Sequence, residues 1–274
     1  MEIVLLGTGS PIPDPGRAGP ATLVLGGGQR VLVDAGRGVV MRLAAAGLFP
    51  GMLDAVLLTH LHSDHVTDLN DLITTRWAMS PVEHPLKLYG PVGTAQVVRS
   101  TLEAFAPDIS YRLAHHDDLT WQPPVEVVEL SAGQVVELGA MTIRSEATDH
   151  APVHPTLGYR FEAEGTSAVI AGDTVPCAGL DQLVAGAACY VQTVVRRSLV
   201  EAIPMPRFHD VLDYHSDLAQ AGQTAAKGQV GTLVLTHLVP APAPGTEGEW
   251  IAEVAEHFSG GVIVGEDLLR VAVG

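Results

Sequence analysis

The sequence predicts an α/β fold in which two sheets face each other with helices outside. Residues 1–274 read as a single domain. Three observations predict this. Short apolar runs of strand character alternate with segments of helical spacing along the whole chain. Each half carries strands ahead of helices. No stretch has the composition of a linker, and no short-period repeat is visible. At 274 residues and 47% hydrophobic content the chain can bury a sizeable core, and 29 Gly and 19 Pro suit many tight turns.

The elements follow in order. Residues 3–6 form a strand that ends in Gly7-Thr8-Gly9-Ser10. Pro11, Pro13, Pro15 and Pro20 exclude a helix after it, so a loop follows. Residues 21–25 and 31–33 make a hairpin around Gly26-Gly27-Gly28, and a helix is expected over 39–46. Residues 55–58 are a short buried strand, and the apolar spacing of Val66, Leu69, Leu72 and Ile73 is helical. A strand at 86–89 and a helix at 93–105 come next. Residues 107–124 break the rhythm and read as a polar surface loop, in preference to a substrate-facing lid carrying His115 and His116. Strands at 125–130, 135–138 and 141–147 lead up to His150, and a strand at 167–171 leads to Asp173. A helix at 180–186 and a strand at 188–195 follow. Residues 204–214 are irregular, and Ser216 is the expected N-cap of a helix at 216–227. A strand at 231–236 delivers His237. A helix at 247–258 and a last β-pair, 262–264 with 268–271, complete the chain.

Charge and cysteine content narrow the function classes. A formal net charge of −16 repels nucleic acid and anionic membranes unless a local basic patch intervenes. Two cysteines, Cys177 and Cys189, make no disulfide framework, so a reducing, cytoplasmic compartment is expected. The N-terminal residues lack a basic region and read as a first strand, not a signal peptide. No segment approaches the roughly 20 apolar residues of a membrane span.

One stretch concentrates the chemistry: Thr59-His60-Leu61-His62-Ser63-Asp64-His65, leaving the end of the strand at 55–58. Open α/β sheets place their sites at such strand ends. In an extended loop, side chains two apart point the same way, so His60 and His62 can grip one ion. Asp64 and His65 begin the next turn and point to a second position. Neutral imidazole and carboxylate suit Zn²⁺, Mn²⁺ or Fe.

His-x-His-x-Asp-His after a buried strand resembles the motif of the metallo-β-lactamase superfamily of dinuclear metallohydrolases. That family implies a four-layer αββα sandwich of two facing mixed sheets. It needs a further His, Asp and His at strand ends, and Thr148-Asp149-His150, Ala171-Gly172-Asp173-Thr174 and Leu235-Thr236-His237-Leu238 match. Gly-Thr-Gly-Ser-Pro at 7–11, Leu-Gly-Tyr-Arg-Phe at 157–161 and Gly-Asp-Thr-x-Pro-Cys at 172–177 are similar to the ribonuclease Z and arylsulfatase-like branch. The resemblance implies that His60, His62 and His150 hold one metal, that Asp64, His65 and His237 hold the other, and that Asp173 bridges them. Two such ions, about 3.5–4 Å apart, share a water and lower its pKa toward neutrality. Zn²⁺ is the expected metal, with Asp64 orienting the attacking oxygen. Asp34 would support the site from beneath, or cap a helix. Arg17 would reach an anionic substrate or sit in a surface turn.

The same resemblance makes His215 the proton donor to the leaving group, although Gln192 stands where the family has a supporting Glu. The transfer-RNA-processing members carry a long arm between the third His and the bridging Asp, whereas His150 and Asp173 lie 23 residues apart here. With the charge, this leads to an expectation of no transfer RNA and no membrane partner. The expected substrate is a small phosphodiester or aryl sulfate ester. A lactone or carboxylic ester is the alternative, with ribonuclease Z-type RNA processing or a non-catalytic metal-binding role ranked lower. The resemblance also allows a homodimer.

Overall fold

The computed structural model describes residues 1–274. Seven strands build the first sheet: β1 (Glu2–Gly7), β2 (Ala21–Gly26), β3 (Gln29–Val33), β4 (Ala55–Leu57), β5 (Leu86–Pro91), β6 (Val125–Leu130) and, from the far end of the chain, β14 (Arg270–Ala272). Its order is β14-β1-β2-β3-β4-β5-β6. The second sheet holds β7 (Val135–Leu138), β8 (Met141–Ala147), β9 (Leu157–Ala163), β10 (Thr166–Ile170), β11 (Cys189–Val195), β12 (Thr232–Val239) and β13 (Gly261–Val264). Its order is β13-β12-β11-β10-β9-β8-β7. Both sheets are mixed: β3 through β6 pair in parallel, as do β10 through β13, and the remaining pairs are antiparallel.

Period-two alternation along the strands sets the layers. Ile3 and Leu5 of β1, Val31 and Val33 of β3 and Leu57 of β4 pack against Tyr159 and Phe161 of β9, Ile170 of β10 and Val191 of β11, forming the core between the sheets. The alternate residues face outward under helices. Val4, Leu6, Leu32 and Val56 meet α1 (Val39–Ala45), α3 (Leu69–Met79) and α4 (Thr94–Ala104), with the one-turn α2 (Ser63–Val66) preceding α3. On the other side Val169, Tyr190 and Leu233 meet α6 (Ala178–Val184), α9 (Leu218–Lys227) and α10 (Glu247–Ala255). The four-layer αββα sandwich follows directly from this two-faced burial.

Four expectations need correction. Residues 107–124 are not a loop throughout: α5 (Ala106–His115) occupies the first half, and Ile109 packs with Trp77 and Leu119 in a satellite core. The stretch 204–214 contains α8 (Pro206–His209) and a 3₁₀ turn, Asp210–Asp213, after α7 (Arg197–Glu201). The last two strands do not pair with each other. β13 extends the second sheet beside β12, and β14 crosses to the first sheet beside β1. The N-cap of α9 is Asp217, not Ser216, because the Ser216 hydroxyl is engaged by the Thr174 carbonyl at 2.8 Å. No helix is long and apolar enough to cross a membrane.

Candidate metal centre

The strands deliver all the expected side chains to one end of the sandwich. β4 runs into the loop with His60 and His62, and α2 then presents Asp64 and His65. His150 follows β8, Asp173 follows β10, and His237 lies near the end of β12. The two sheets are tied together here: Tyr159 Oη donates to the Leu58 carbonyl at 2.6 Å, and Leu157 N to the Thr59 carbonyl at 2.9 Å. Gly172 has φ 67°, and a Cβ on it would stand 2.8 Å from Thr59 Cβ. Glycine is therefore required where the Asp173 loop crosses the His60 loop.

Donor atoms cluster in two groups around one oxygen. His60 Nε2 lies 3.0 Å from His62 Nδ1, which lies 3.3 Å from His150 Nε2. Ligands on a tetrahedral ion with bonds near 2.0–2.1 Å stand about 3.3 Å apart. Asp64 Oδ2 lies 3.1 Å from His237 Nε2 and 3.6 Å from His65 Nε2. Asp173 Oδ2 is shared, at 3.7 Å from His60, 3.8 Å from His150, 3.3 Å from His65 and 3.6 Å from His237. Each group could hold one ion, with Asp173 between them.

The outer nitrogens fix which lone pairs face inward. His65 Nδ1 donates to Asp34 Oδ2 at 2.8 Å, and His150 Nδ1 to the Tyr214 carbonyl at 2.8 Å. Thr59 Oγ1 donates to Asp34 Oδ2 at 2.9 Å and so accepts from His60 Nδ1 at 3.0 Å. The inner nitrogens are thereby left bare. Asp34 thus orients two imidazoles. It holds φ 63°, with Thr59 N donating to its Oδ1 at 2.8 Å; it caps no helix. His65 Nε2 is buried without a hydrogen-bond partner, as is His237 Nδ1. Bare imidazole nitrogens 3.0–3.3 Å apart, two buried carboxylates beside them and an orphaned inner nitrogen fit a divalent cation.

Electrostatics divides the two groups. Burial, then the neighbouring His65 charge, hold His60 well below the usual imidazole range. Burial likewise lowers His62, and lowers His150 to about 4 despite the opposing pull of Asp173. In the other group burial also opposes the charged imidazole, but carboxylates win. Asp173 and Asp34 hold His65 well above its ordinary value, and Asp173 with the Asp64 hydrogen bond raises His237. For Asp173 burial works toward protonation, yet His237, His65 and the His215 hydrogen bond keep it well below the carboxylate range. Asp64 is similarly held low by His237 and His65 against its burial.

His215 reaches the same oxygen, with Nε2 3.2 Å from Asp173 Oδ2 and Nδ1 3.0 Å from the Val211 carbonyl. Gln192 does not support it. Strand alternation puts Gln192 on the outer face with Tyr190 and Val194, where it accepts from Tyr190 Oη and donates to the Thr193 carbonyl. Its neighbour Thr193 faces inward and donates to Asp173 Oδ1 at 2.8 Å. That contact was not anticipated, though the end of a buried strand marks it. Arg17 does not face the site: it bonds Thr8 Oγ1 at 2.6 Å and the Gly265 carbonyl at 2.8 Å. Above the cluster lies a cavity of ≈ 140 Å³ walled by Ser10, Pro11, Ile12, Phe208 and Tyr214, among others. Residues 107–124 contribute nothing to its lining.

Residues 29–238 match the model of the beta-lactamase superfamily domain. The chain is 55% identical over 277 residues to a protein named Ribonuclease Z from Mycobacterium bovis, covering 100% of this chain and 98% of that one. It is 54% identical over 275 residues to a protein of the same name from Mycolicibacterium gilvum, covering 100% and 96%. Among solved structures, a metallo-beta-lactamase fold protein from Bacillus subtilis superposes with TM-score 0.76 at 21% identity over 98% of each chain. The short form of human tRNase Z superposes with TM-score 0.73 at 22% identity over 100% of each.

These relatives overturn two expectations. A small phosphodiester or aryl sulfate is not the substrate class that they indicate, and the exclusion of transfer RNA does not stand. The missing arm carries no weight, because relatives matched over 96–98% of their length in 275–277 aligned residues have no room for one either. The charge of −16 is a total over the chain and does not describe the rim of the site. The chain is a metal-dependent hydrolase that belongs to the metallo-β-lactamase superfamily, in its ribonuclease Z branch.

Proposed function

We propose that this chain cleaves phosphodiester bonds of RNA, with transfer RNA precursors as its substrate class. Full-length identity of 55% to a protein named Ribonuclease Z is the observation that carries this reading. His60, His62 and His150 would hold one divalent ion and Asp64, His65 and His237 a second, with Asp173 placed between the two groups. Zinc suits this nitrogen-rich set. When bound, such a pair of ions acidifies water and draws charge from the phosphoryl oxygens.

The protein's own groups do the rest. Asp64, close to His237, orients the attacking oxygen. His215, held by the Val211 carbonyl at 3.0 Å, gives a proton from Nε2 to the departing oxygen. A cavity of ≈ 140 Å³ cannot admit a folded RNA, so only the scissile backbone of an unpaired strand enters. Arg37 and Arg207, both exposed, adjoin the two wall segments, and Arg37 Nη2 lies 3.3 Å from the Ser10 carbonyl. They supply local positive charge for phosphates at the mouth.

The test incubates zinc-loaded protein with a 3′-extended transfer RNA precursor, beside bis(p-nitrophenyl) phosphate and p-nitrophenyl sulfate. Endonucleolytic cleavage of the precursor that disappears in His60→Ala is expected. Turnover of the sulfate with an intact precursor would defeat the reading.

A further inference from the structure

The strand that carries His237 is broken where that residue sits. β11 and β12 stay in register from Cys189↔Thr232 to Thr193↔Thr236, then resume at Val195↔Val239. Between those pairs β11 has one residue and β12 has two, which is a β-bulge at His237–Leu238. His237 takes φ 46°, a conformation that a non-glycine residue holds only when its surroundings enforce it. The bulge redirects the Leu238 N–H out of the ladder, and it donates to the Thr8 carbonyl at 3.1 Å.

Thr8 is fully buried and directly follows β1 of the other sheet. Its N and Oγ1 donate to Asp267 Oδ1 at 3.0 and 2.8 Å. The second oxygen, Oδ2, accepts from Ala18 N at 2.7 Å and faces Arg42 Nε at 2.9 Å. One carboxylate therefore clasps both ends of the loop from Thr8 to Ala18, which Gly9 N closes onto the Ala18 carbonyl at 2.8 Å. The middle of that loop, Ser10 to Ile12, walls the cavity.

We infer that Asp267 is a positioning residue for the second half of the metal centre: through Thr8 it holds the bulge that aims His237 at Asp64 and Asp173. This rests on the two-ion reading above. Asp267 touches no candidate ligand itself. Removing it leaves the Thr8 and Ala18 amides and the Arg42 guanidinium without their acceptor, and the bulge loses its brace. Asp267→Asn keeps the shape but turns an NH₂ toward donors. Thr8→Val keeps the shape and deletes one hydroxyl.

Metal-free wild type, Asp267→Asn and Thr8→Val are titrated with Co²⁺ against a competing chelator, following the visible absorption, with circular dichroism as the check on folding. Wild type is expected to take two ions. Both variants should bind the second about 10–100-fold more weakly, with an altered d–d band, and the first unchanged. His150→Ala should give the reverse pattern. Wild-type affinity for both ions in folded Asp267→Asn and Thr8→Val would overturn the inference, as would equal weakening of the two ions. A wild type that binds fewer than two ions would overturn the metal reading and this inference with it.

Discussion

Asp34 lies outside the donor cluster, yet two imidazoles depend on it. It accepts from His65 Nδ1 at 2.8 Å directly and orients His60 through Thr59. Asp34→Ala should therefore weaken metal binding about 10–100-fold while leaving all seven candidate ligands in the chain. Chelator competition reads this, and unchanged affinity would remove Asp34 from the site. His215 makes a different prediction, because a proton donor matters only when the leaving group is poor. His215→Ala should slow RNA cleavage about 10²–10⁴-fold and slow a p-nitrophenyl diester far less. Equal losses on both would refute the donor role. The two thiols separate by burial. Burial pushes Cys189 up to about 12. Its folded value lies above the unfolded one, so the thiol stays protonated below that range and favours unfolding only as pH rises past about 9. At pH 8 a disulfide reagent should label the part-exposed Cys177 and spare Cys189 until the protein unfolds. Two equally fast thiols would contradict the packing.

Helix α9 shows what can be read from local pattern and what cannot. Its span was legible as a run of good helix formers after His215-Ser216-Asp217. Its cap was not, because Ser216 is claimed by Thr174, 42 residues away, and Asp217 takes over in a capping box with Gln220. Asp217 accepts from Gln220 N at 2.8 Å and pairs with Arg197 at 2.9 Å. Asp217→Ala should cost about 1 kcal/mol, or roughly 2–4 °C in a thermal melt. No change would mean that the box is not formed in solution. The same contrast runs through the site. His60, His62, Asp64 and His65 were legible as a dense cluster after the buried strand at 55–58, whereas His150, Asp173 and His237 were matched to the family pattern by the resemblance. The backbone acceptors were not: the Tyr214 carbonyl behind His150 and the Val211 carbonyl behind His215 belong to a segment without periodicity. The bulge at His237 was equally hidden, since one extra residue in a strand leaves no mark on its apolar run. Gln192 misled because a neighbouring position was matched by family pattern while strand alternation pointed it outward.

At the scale of the molecule, the candidate ligands join two sheets that otherwise meet through an apolar core. His60, His62, Asp64 and His65 follow the first sheet, whereas His150, Asp173 and His237 follow the second. The crowded nitrogens at this junction favour a cation. Asp173 and Asp34 are buried, at 3% and 4% exposure, and three imidazoles are crowded with their bare nitrogens together. Crowding bare nitrogens away from water is costly, and an ion that they hold binds the folded chain alone. Ligand linkage then gives the size: a free ion at 100 times its Kd stabilises the fold by about 2.7 kcal/mol per site. At roughly 2–4 °C per kcal/mol for a chain near this size, each ion should raise Tm by roughly 5–10 °C. Zinc-loaded protein should therefore melt well above the chelated protein. His150→Ala should forfeit about half of that gain while its chelated form melts close to chelated wild type. The core between the sheets does not touch the ions, so a core mutation would lower both melts equally. Identical melting of loaded and stripped wild type would mean that the two sheets are held by apolar packing alone and that the seven side chains do not form a cage.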